Sequence, residues 1–285
     1  MPSKVTALPV KRSFGETMRP DAWWIQPVVV GLGFLAFIVY STWAAFQGAF
    51  YHSGNLLSPF YSPELWYPAG EPSTHALFGP QPGWWPAILP YSPAFLILWA
   101  PVSFRLTCYY YRGAYYKSYW PGPPSCSVGT PGTGYMGERH FPLILQNIHR
   151  YTLPFAFLLL VFLTSDVWKA LWFATPGGGE ELGLSVGTLV LAMNVTLLGS
   201  YTFGCHSLRH LVGGGIDRLA RRPVRRTAFE CVSWCNKRHM RFAWFSLFWV
   251  GFSDVYVRLC AMGIWTALRI FCWRSTRSSS TTSSS

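Results

Sequence analysis

The residues best suited to chemistry in this chain are histidines and cysteines that lie close together. Cys205, His206 and His210 form the motif Cys-His-x-x-x-His at the end of an apolar run, and His149 begins another such run. Because positions four apart share one face of a helix, the two imidazoles of the motif can converge on one centre. Thiolate and imidazole are common ligands of iron and zinc, so the grouping predicts a metal or redox centre. The alternative is that these histidines hydrogen-bond lipid headgroups at a membrane surface.

Two further cysteines, Cys108 and Cys126, lie in and after an aromatic, basic stretch that runs from Arg105 to Lys117. Tyrosines beside basic residues are typical of a helix at the membrane interface, which explains the rings without any chemistry. It does not explain two thiols in a polar segment. Thiols that face the cytoplasm stay reduced, so metal ligation is favoured over a disulfide there.

The elements that must position these residues are apolar runs. The 285 residues are 51% hydrophobic and only 12% charged, against about 25% charged in soluble domains. Disorder and a soluble fold are therefore excluded, and a membrane protein remains. Five segments reach the roughly 20 residues that a spanning helix needs. The predicted spans are residues 25–47, 84–104, 151–173, 184–204 and 242–272, and four prolines should kink or partly unwind the second.

Lys and Arg in the connections predict the orientation of the bundle. Residues 1–22 hold four, 105–150 hold five and 205–241 hold nine, whereas 48–83 and 174–183 hold none. By the positive-inside rule the N-terminus is cytoplasmic. We therefore predict an all-α, integral membrane bundle of five transmembrane helices in a bacterial cytoplasmic membrane. Its parts are a cytoplasmic segment 1–22, an anchor domain 23–273 and a disordered tail 274–285. The net charge of +12 follows this topology, so no nucleic-acid partner is predicted.

This topology places most of the Cys and His residues on the cytoplasmic side. His239, which precedes the fifth span, is on that side as well. Two stacked haems would need histidines near both faces, so a di-haem cytochrome is disfavoured. One b-type haem could use His149 with His206 or His210. Two Cys and two His could instead hold a Rieske-type [2Fe–2S] cluster, which we favour because a bis-His haem leaves both thiols unexplained.

Two charged residues, Asp254 and Arg258, lie four apart inside the fifth predicted span. Charges inside a membrane are costly and usually paired. The spacing therefore predicts an intramembrane ion pair that faces the bundle interior. The functional alternative is a proton relay or a contact with a partner subunit.

Four stretches of the sequence resemble the membrane-anchor subunit of actinobacterial succinate dehydrogenases. They are Phe104–Lys117 (FRLTCYYYRGAYYK), Pro123–Cys126 (PPSC), Phe141–Tyr151 (FPLILQNIHRY) and Cys205–His210 (CHSLRH). The resemblance implies an anchor for a flavoprotein and an iron–sulfur subunit, with electron delivery to a quinone of the menaquinone type. Another small membrane subunit is a further candidate partner. The resemblance also makes Cys108, Cys126, His149, His206 and His210 candidate ligands of the redox centre.

A quinone site is expected beside these ligands, because electrons arrive on the cytoplasmic face. A quinone pocket needs an apolar slot with a few polar groups. The polar candidates next to the predicted ligands are Gln146, Arg209 and Tyr110. The chain has no nucleotide-binding motif, so the dicarboxylate chemistry belongs to partner subunits. A membrane scaffold or channel without a redox centre is the alternative function.

Overall fold

The structure, a computed structural model, describes most of the chain between residues 13 and 273. The residues outside the description are 1–12, 71, 87, 89, 121, 123, 131–138, 142, 176–177, 216–220 and 274–285. The predicted tail 274–285 and most of the predicted segment 1–22 therefore lie outside the described residues.

Four long helices form the body of the described fold, and shorter helices lie at one of its ends. In chain order the helices are α1 (Ile25–Gln47), α2 (Ala94–Ile97), α3 (Trp99–Leu106), α4 (Tyr109–Ser118), α5 (His149–Lys169), α6 (Val186–Phe203), α7 (His206–Gly213), α8 (Pro223–Lys237) and α9 (His239–Ala261). A 3-10 helix, Leu143–Ile148, leads into α5. Helix α6 packs against both α5 and α9, and α3 packs against α5.

Three of the described helices are long and apolar enough to cross a membrane, namely those over Ile25–Gln47, Ile144–Lys169 and Val186–Phe203. They are apolar on all sides. Helix α1, for example, exposes Val29, Leu32 and Val39 at about 60% each while it buries Phe34. A helix that is apolar all round belongs in lipid rather than on a soluble surface. The mostly helical, membrane-embedded class predicted from the sequence is thus found.

The predicted second span, 84–104, is helical only in part. Helix begins at Ala94, runs for four residues, and resumes over the eight residues of α3. Pro86, Pro90 and Pro93 precede it, and a proline lacks the N–H that a helix interior requires. The continuous helical length is therefore well short of the roughly 20 residues of a straight span.

The predicted fifth span also has different bounds. Helix α9 has 23 residues but ends at Ala261, whereas 242–272 was expected. Residues Arg269–Trp273 form a strand instead. With the second and fifth segments altered in this way, five spans and a cytoplasmic N-terminus remain proposals.

Five short strands amend the all-α prediction. Strands β1 (His52–Ser53) and β2 (Leu56–Leu57) pair as an antiparallel hairpin. Strands β3 (Trp172–Ala174), β4 (Glu180–Ser185) and β5 (Arg269–Trp273) form an antiparallel sheet in the order β3-β4-β5. Their backbone pairing closes the connections after α5 and α9. With two to six residues each, they are too short to give a clear alternating pattern.

The two ends of the bundle differ in content. We call the end where α5 and α9 begin and α6 finishes the site end. The opposite end, which carries the strands, is the far end. There residues 51–64, which we call the capping segment, fold onto the bundle with Tyr51, Leu57 and Tyr61 buried against Ala44 and Val250.

Candidate functional site

Four helix starts meet at the site end, and each brings one Cys or His. Cys108 directly precedes α4 and Cys205 directly precedes α7, while His149 and His239 are the first residues of α5 and α9. All four side chains are buried, with exposed fractions of 0–8%. Both cysteines have extended backbone, with φ −68° and ψ 134° at Cys108 and φ −59° and ψ 134° at Cys205. A residue in this position directs its side chain toward the free N–H groups of the following turn.

The four side chains form two thiol–imidazole pairs. Cys205 Sγ lies 3.2 Å from His149 Nε2. Cys108 Sγ lies 3.6 Å from His239 Nε2. The site thus presents two sulfur and two nitrogen donors within one buried cluster.

Thr107 determines which nitrogen of His149 is free to accept. Its hydroxyl lies 2.8 Å from the Ser103 carbonyl oxygen, to which it donates its single proton. The same hydroxyl lies 3.0 Å from His149 Nδ1, so it must accept a hydrogen bond from that nitrogen. His149 therefore carries its proton on Nδ1, and the unprotonated Nε2 faces Cys205. A hydrogen bond from the second ring nitrogen is typical of a metal-ligating histidine.

Aromatic rings hold both imidazoles in place. Phe104 stacks on His149 with ring centroids 4.4 Å apart and planes 16° apart. Tyr201 stacks on His239 at 4.8 Å and 12°. The Arg105 guanidinium carbon lies 4.9 Å from the centroid of the Tyr201 ring, as in a cation–π contact. Neither imidazole can turn without displacing a buried ring.

Burial raises the pKa values of the two thiols, whereas the helix starts that follow them lower these values. Desolvation raises the pKa of Cys108, and the nearby backbone N–H groups of Tyr110 and Tyr111 lower it in part. Desolvation likewise raises the pKa of Cys205, opposed by the backbone N–H groups of Leu208 and Ser207. The net shift is upward in both cases, so both thiols are protonated at neutral pH unless a cation displaces the proton. Metal binding does this, since a ligating cysteine is a thiolate.

A cavity of about 480 Å³, which we call the site cavity, adjoins the cluster. It brings polar groups of several elements to the site end. Its lining residues are Thr107, Cys108, Tyr109, Tyr110, Gln146, His149, His206, Ser207, Asn236 and His239.

Two of the five ligands predicted from the sequence, Cys108 and His149, lie in this buried cluster. Cys126 is exposed, and its carbonyl oxygen accepts a hydrogen bond from Arg19. His206 and His210 are exposed, and their Nε2 atoms lie 2.9 Å apart. Burial, with the nearby His210 and Arg209, lowers the pKa of His206. His206 lines the site cavity, but both histidines lie on the surface of α7 rather than in the cluster.

The two remaining members of the cluster, Cys205 and His239, were not among the ligands predicted from the sequence. Their positions in the sequence nevertheless indicated this role. Both precede or begin a helical run on the same side of the bundle as Cys108 and His149. The Cys-His-x-x-x-His motif directed attention to His206 and His210, whose side chains point away from the interior.

Two of the three predicted quinone contacts line the site cavity, and the third does not. Gln146 and Tyr110 line the site cavity, and Gln146 Oε1 accepts a hydrogen bond from Arg112 Nη1 at 2.5 Å. Arg209 is not among the lining residues. Its Nε donates to Ser233 Oγ at 3.1 Å, and its guanidinium carbon lies 4.9 Å from the Phe229 ring centroid. Arg209 thus joins α7 to α8.

The two intramembrane charges lie near the far end of α9. Arg258 Nε lies 3.4 Å from Asp254 Oδ2, with both side chains at most 4% exposed. Asp254 also accepts from Tyr40 at 2.5 Å and from Ser58 of the capping segment. Arg258 Nη1 donates to the Ala49 carbonyl oxygen at 2.9 Å. These contacts satisfy both charges inside the protein.

Among the described residues, no three of His, Cys, Asp and Glu are grouped tightly enough to surround a single metal ion. The cluster consists of two pairs instead. A mononuclear site usually needs three or four converging protein ligands, whereas a two-iron cluster shares four protein ligands between two irons.

The chain is similar to known membrane subunits. A family model described as "Actinobacterial succinate dehydrogenase subunit SdhC" matches residues 25–263. Among solved structures, a chain of the "Mycobacterium smegmatis Sdh1 complex in the apo form" shares 39% sequence identity with it, at a TM-score of 0.80. That match covers 94% of this chain and 98% of the other. No curated protein sequence matches the chain.

Proposed function

The chain belongs to the actinobacterial succinate dehydrogenase subunit SdhC family, and from this we propose that it anchors a flavoprotein and an iron–sulfur subunit to the membrane. In this proposal it also passes electrons from succinate oxidation to a membrane quinone of the menaquinone type. The described residues include no soluble catalytic domain, so the dicarboxylate chemistry lies on the partner subunits.

The observation that carries the redox part is the meeting of Cys108, His149, Cys205 and His239 in one buried cluster. Two thiols and two imidazoles are the donor set of a Rieske-type [2Fe–2S] cluster. When bound, such a cluster supplies a one-electron carrier. The chain's own contribution is to fix the imidazoles by stacking and to set the tautomer of His149 through Thr107.

A single b-type haem is the competing centre. It would need a second axial histidine opposite His149, and His206 and His210 were the sequence-based candidates. Both are exposed and contact each other instead. A haem held by His149 and His239 would leave two buried thiols beside the iron without a role. The donor set therefore supports the iron–sulfur cluster.

Charge supports docking at the site end. The segment around the start of α8 exposes Arg221, Arg222 and Arg226, and Lys237 is exposed near its end. A partner with an acidic face is attracted to such a surface, which raises the rate and specificity of association more than the affinity. The end of α8 reaches the site through Asn236, which lines the site cavity, so electrons from a docked partner would enter there.

We propose that Gln146 and Tyr110, which were predicted from the sequence, contact the quinone in the site cavity. Arg209, the third predicted contact, would act on this site only indirectly, through its link to α8. The site cavity is rich in polar groups and lies at the end of the bundle where a partner would dock.

The experiment that tests the redox proposal compares Cys205→Ser with Cys126→Ser in the purified complex. Iron analysis and electron paramagnetic resonance should report loss of the membrane-subunit iron signal in Cys205→Ser only. Cys126→Ser is the matched control, since it removes an exposed thiol outside the cluster. Equal loss in both variants, or an intact signal in Cys205→Ser, would overturn the ligand assignment. A surviving haem spectrum would favour the haem, and a colourless, iron-free membrane subunit would favour a scaffold without a redox centre.

A further inference from the structure

The two histidines of the Cys-His-x-x-x-His motif, His206 and His210, lie outside the buried cluster and contact each other. Both imidazoles are exposed on α7, and their Nε2 atoms lie 2.9 Å apart. The ring centroids are 4.4 Å apart, and the ring planes meet at 78°. Without a metal, one ring donates an N–H proton and the other accepts it. A metal ion can replace that proton and bind both nitrogens, since neutral imidazole is the commonest metal ligand in proteins.

Helix α7 fixes this pair because its opposite face is packed against the protein. Leu208, which is 7% exposed, lies two residues from each histidine, and two residues turn an α-helix by about 200°. Arg209 Nε donates to Ser233 Oγ of α8 at 3.1 Å, and its guanidinium carbon lies 4.9 Å from the Phe229 ring centroid. These contacts attach α7 to α8 and engage the positive charge between the two histidines. The imidazoles therefore share one exposed face, and the backbone need not refold to bring them together.

The distance between the two nitrogens indicates which ions the pair fits. Histidine nitrogens bind zinc and similar ions at about 2.0–2.1 Å, so nitrogens 2.9 Å apart make an angle of about 90° at the ion. Neighbouring ligands in tetragonal complexes of Cu²⁺ and Ni²⁺ make this angle, whereas tetrahedral Zn²⁺ needs about 109°. No third His, Cys, Asp or Glu of the described chain joins the pair, so water fills the remaining positions of the ion.

The pair lies at the rim of the site cavity. His206 lines the cavity together with Tyr110 and Gln146, the two proposed quinone contacts. His210 follows one turn later and is not among the lining residues. A hydrated divalent ion held between the two imidazoles would therefore stand where the cavity meets the surface, and it would obstruct the entry of a ligand.

We propose that His206 and His210 form a binding site for a divalent transition-metal ion, Cu²⁺ or Ni²⁺ before Zn²⁺, and that an ion bound there inhibits quinone reduction. This site is separate from the redox centre, whose proposed ligands are buried. The two Nε2 atoms form coordination bonds to the ion and displace two of its water molecules, and no electron is transferred. The inhibition rests on the proposed function, because it presupposes a quinone in the site cavity. The binding of the ion does not.

Equilibrium dialysis of the whole, untagged complex against Ni²⁺ tests the binding without any measurement of activity. The background is Cys126→Ser with Cys231→Ser, which removes two exposed thiols that could also bind the ion. His210→Ala in this background should bind one Ni²⁺ fewer per complex. His140→Ala is the matched control, since it removes an exposed histidine outside the pair, and its Ni²⁺ content should equal that of the background. Electron paramagnetic resonance of Cu²⁺, without succinate, should show two coupled nitrogens that His210→Ala reduces to one.

Iron content separates this site from the redox centre. It should be unchanged in His210→Ala, because the His210 side chain lies outside the buried cluster. Loss of the membrane-subunit iron signal in His210→Ala would overturn the proposal and make His210 a ligand of the redox centre, as the sequence predicted. Equal Ni²⁺ binding in His210→Ala and His140→Ala would also overturn it, and the two imidazoles would then form only a hydrogen bond.

The inhibition has its own readout. Added Ni²⁺ should slow quinone reduction by the background complex, a chelator should restore the rate, and His210→Ala should not respond to the ion. Succinate oxidation by a soluble artificial acceptor should not change. Binding of Ni²⁺ without any effect on quinone reduction would refute the inhibition. If the metal-free complex reduced no quinone at all, the proposed function itself would fail, and the dialysis result would still decide whether the metal site exists.

Discussion

Thr107, an ordinary helix-terminal residue, controls the tautomer of one proposed ligand of the cluster. Its single hydroxyl proton goes to a backbone carbonyl, which forces His149 to donate from Nδ1 and leaves Nε2 facing the thiol. A threonine at the end of α3 is easily dismissed in a sequence as a helix-terminal residue. It can orient a ligand only because it contacts His149, which lies 42 positions later in the chain.

Replacing Thr107 with Val keeps the shape of the side chain and removes the acceptor for His149 Nδ1. We expect the metal affinity of the cluster to fall about 10–100-fold, the usual effect of losing a hydrogen bond that orients a metal-ligating residue. Iron content per complex and the position of the electron paramagnetic resonance lines measure this. Thr107→Ser, which keeps the hydroxyl, should remain close to the native protein. Normal iron content in Thr107→Val would show that the tautomer of His149 does not depend on this bond.

Residue type and position in the sequence predicted a redox centre at this end of the bundle and selected Cys108 and His149. Membership of the cluster beyond these two residues depends on the direction in which each helix start points, which spacing alone does not reveal. His206 and Cys205 are neighbours in sequence, yet one is exposed and the other is fully buried. The turn between α6 and α7 makes that difference.

At the scale of elements, the junction of α6 with α7 is packed too tightly for any side chain at Gly204. A Cβ at this position would lie 2.8 Å from His239 Nδ1, 2.9 Å from the Ser200 carbonyl oxygen and 3.0 Å from the Cys235 carbonyl oxygen. Two of these atoms are backbone and the third is on a proposed ligand. The absence of a side chain thus lets α9 and α8 approach the end of α6.

We therefore expect Gly204→Ala to displace the start of α9 and to lower the iron content of the complex, because His239 must move. Gly199→Ala is the matched control on the same helix, since a Cβ there meets nothing closer than a Phe203 ring atom at 3.9 Å. Iron analysis of the two purified variants separates them. Equal iron content in both would mean that the cluster tolerates a shift of His239.

The far end depends on a different element contact, in which the capping segment, α1 and α9 share the Asp254–Arg258 pair. Asp254→Asn leaves the Arg258 guanidinium buried without its counter-ion. Removing one partner of a buried pair typically costs about 3–5 kcal/mol, so the midpoint of thermal unfolding should fall by several degrees. Asp254→Asn combined with Arg258→Met should recover part of the loss, because it also removes the unpaired charge. An unchanged midpoint in the single variant would mean that Tyr40 and Ser58 suffice without the carboxylate.

Sequence patterns predicted the long helices well where twenty or so apolar residues follow one another, as in α1, α5 and α6. They were less successful where prolines interrupt the run before Ala94, because the position at which helix resumes depends on packing against α5. Strand β5 pairs with β4, which lies far before it in the chain. Their pairing is a tertiary contact, so the predicted fifth helix extended too far.

At the scale of the whole molecule, the charges and the chemistry occupy the same end. The connections that hold Lys and Arg, 105–150 and 205–241, meet at the site end. The connections without Lys or Arg, 48–83 and 174–183, meet at the far end. By the positive-inside rule we propose that the cluster lies on the cytoplasmic side and the capping segment outside. On this orientation electrons from the partner subunits enter the chain from the cytoplasmic side.

This orientation predicts which thiols a membrane-impermeant maleimide can reach. In intact cells it should label a cysteine introduced as Thr74→Cys, an exposed position of the far-end connection. The native Cys126 and Cys231 are exposed at the site end, and they should react only after the membrane is permeabilised and the partner subunits are removed. Mass spectrometry of the labelled peptides assigns each thiol separately, so the buried cysteines do not interfere. Labelling of Cys126 or Cys231 in intact cells, with protection at position 74, would invert the topology.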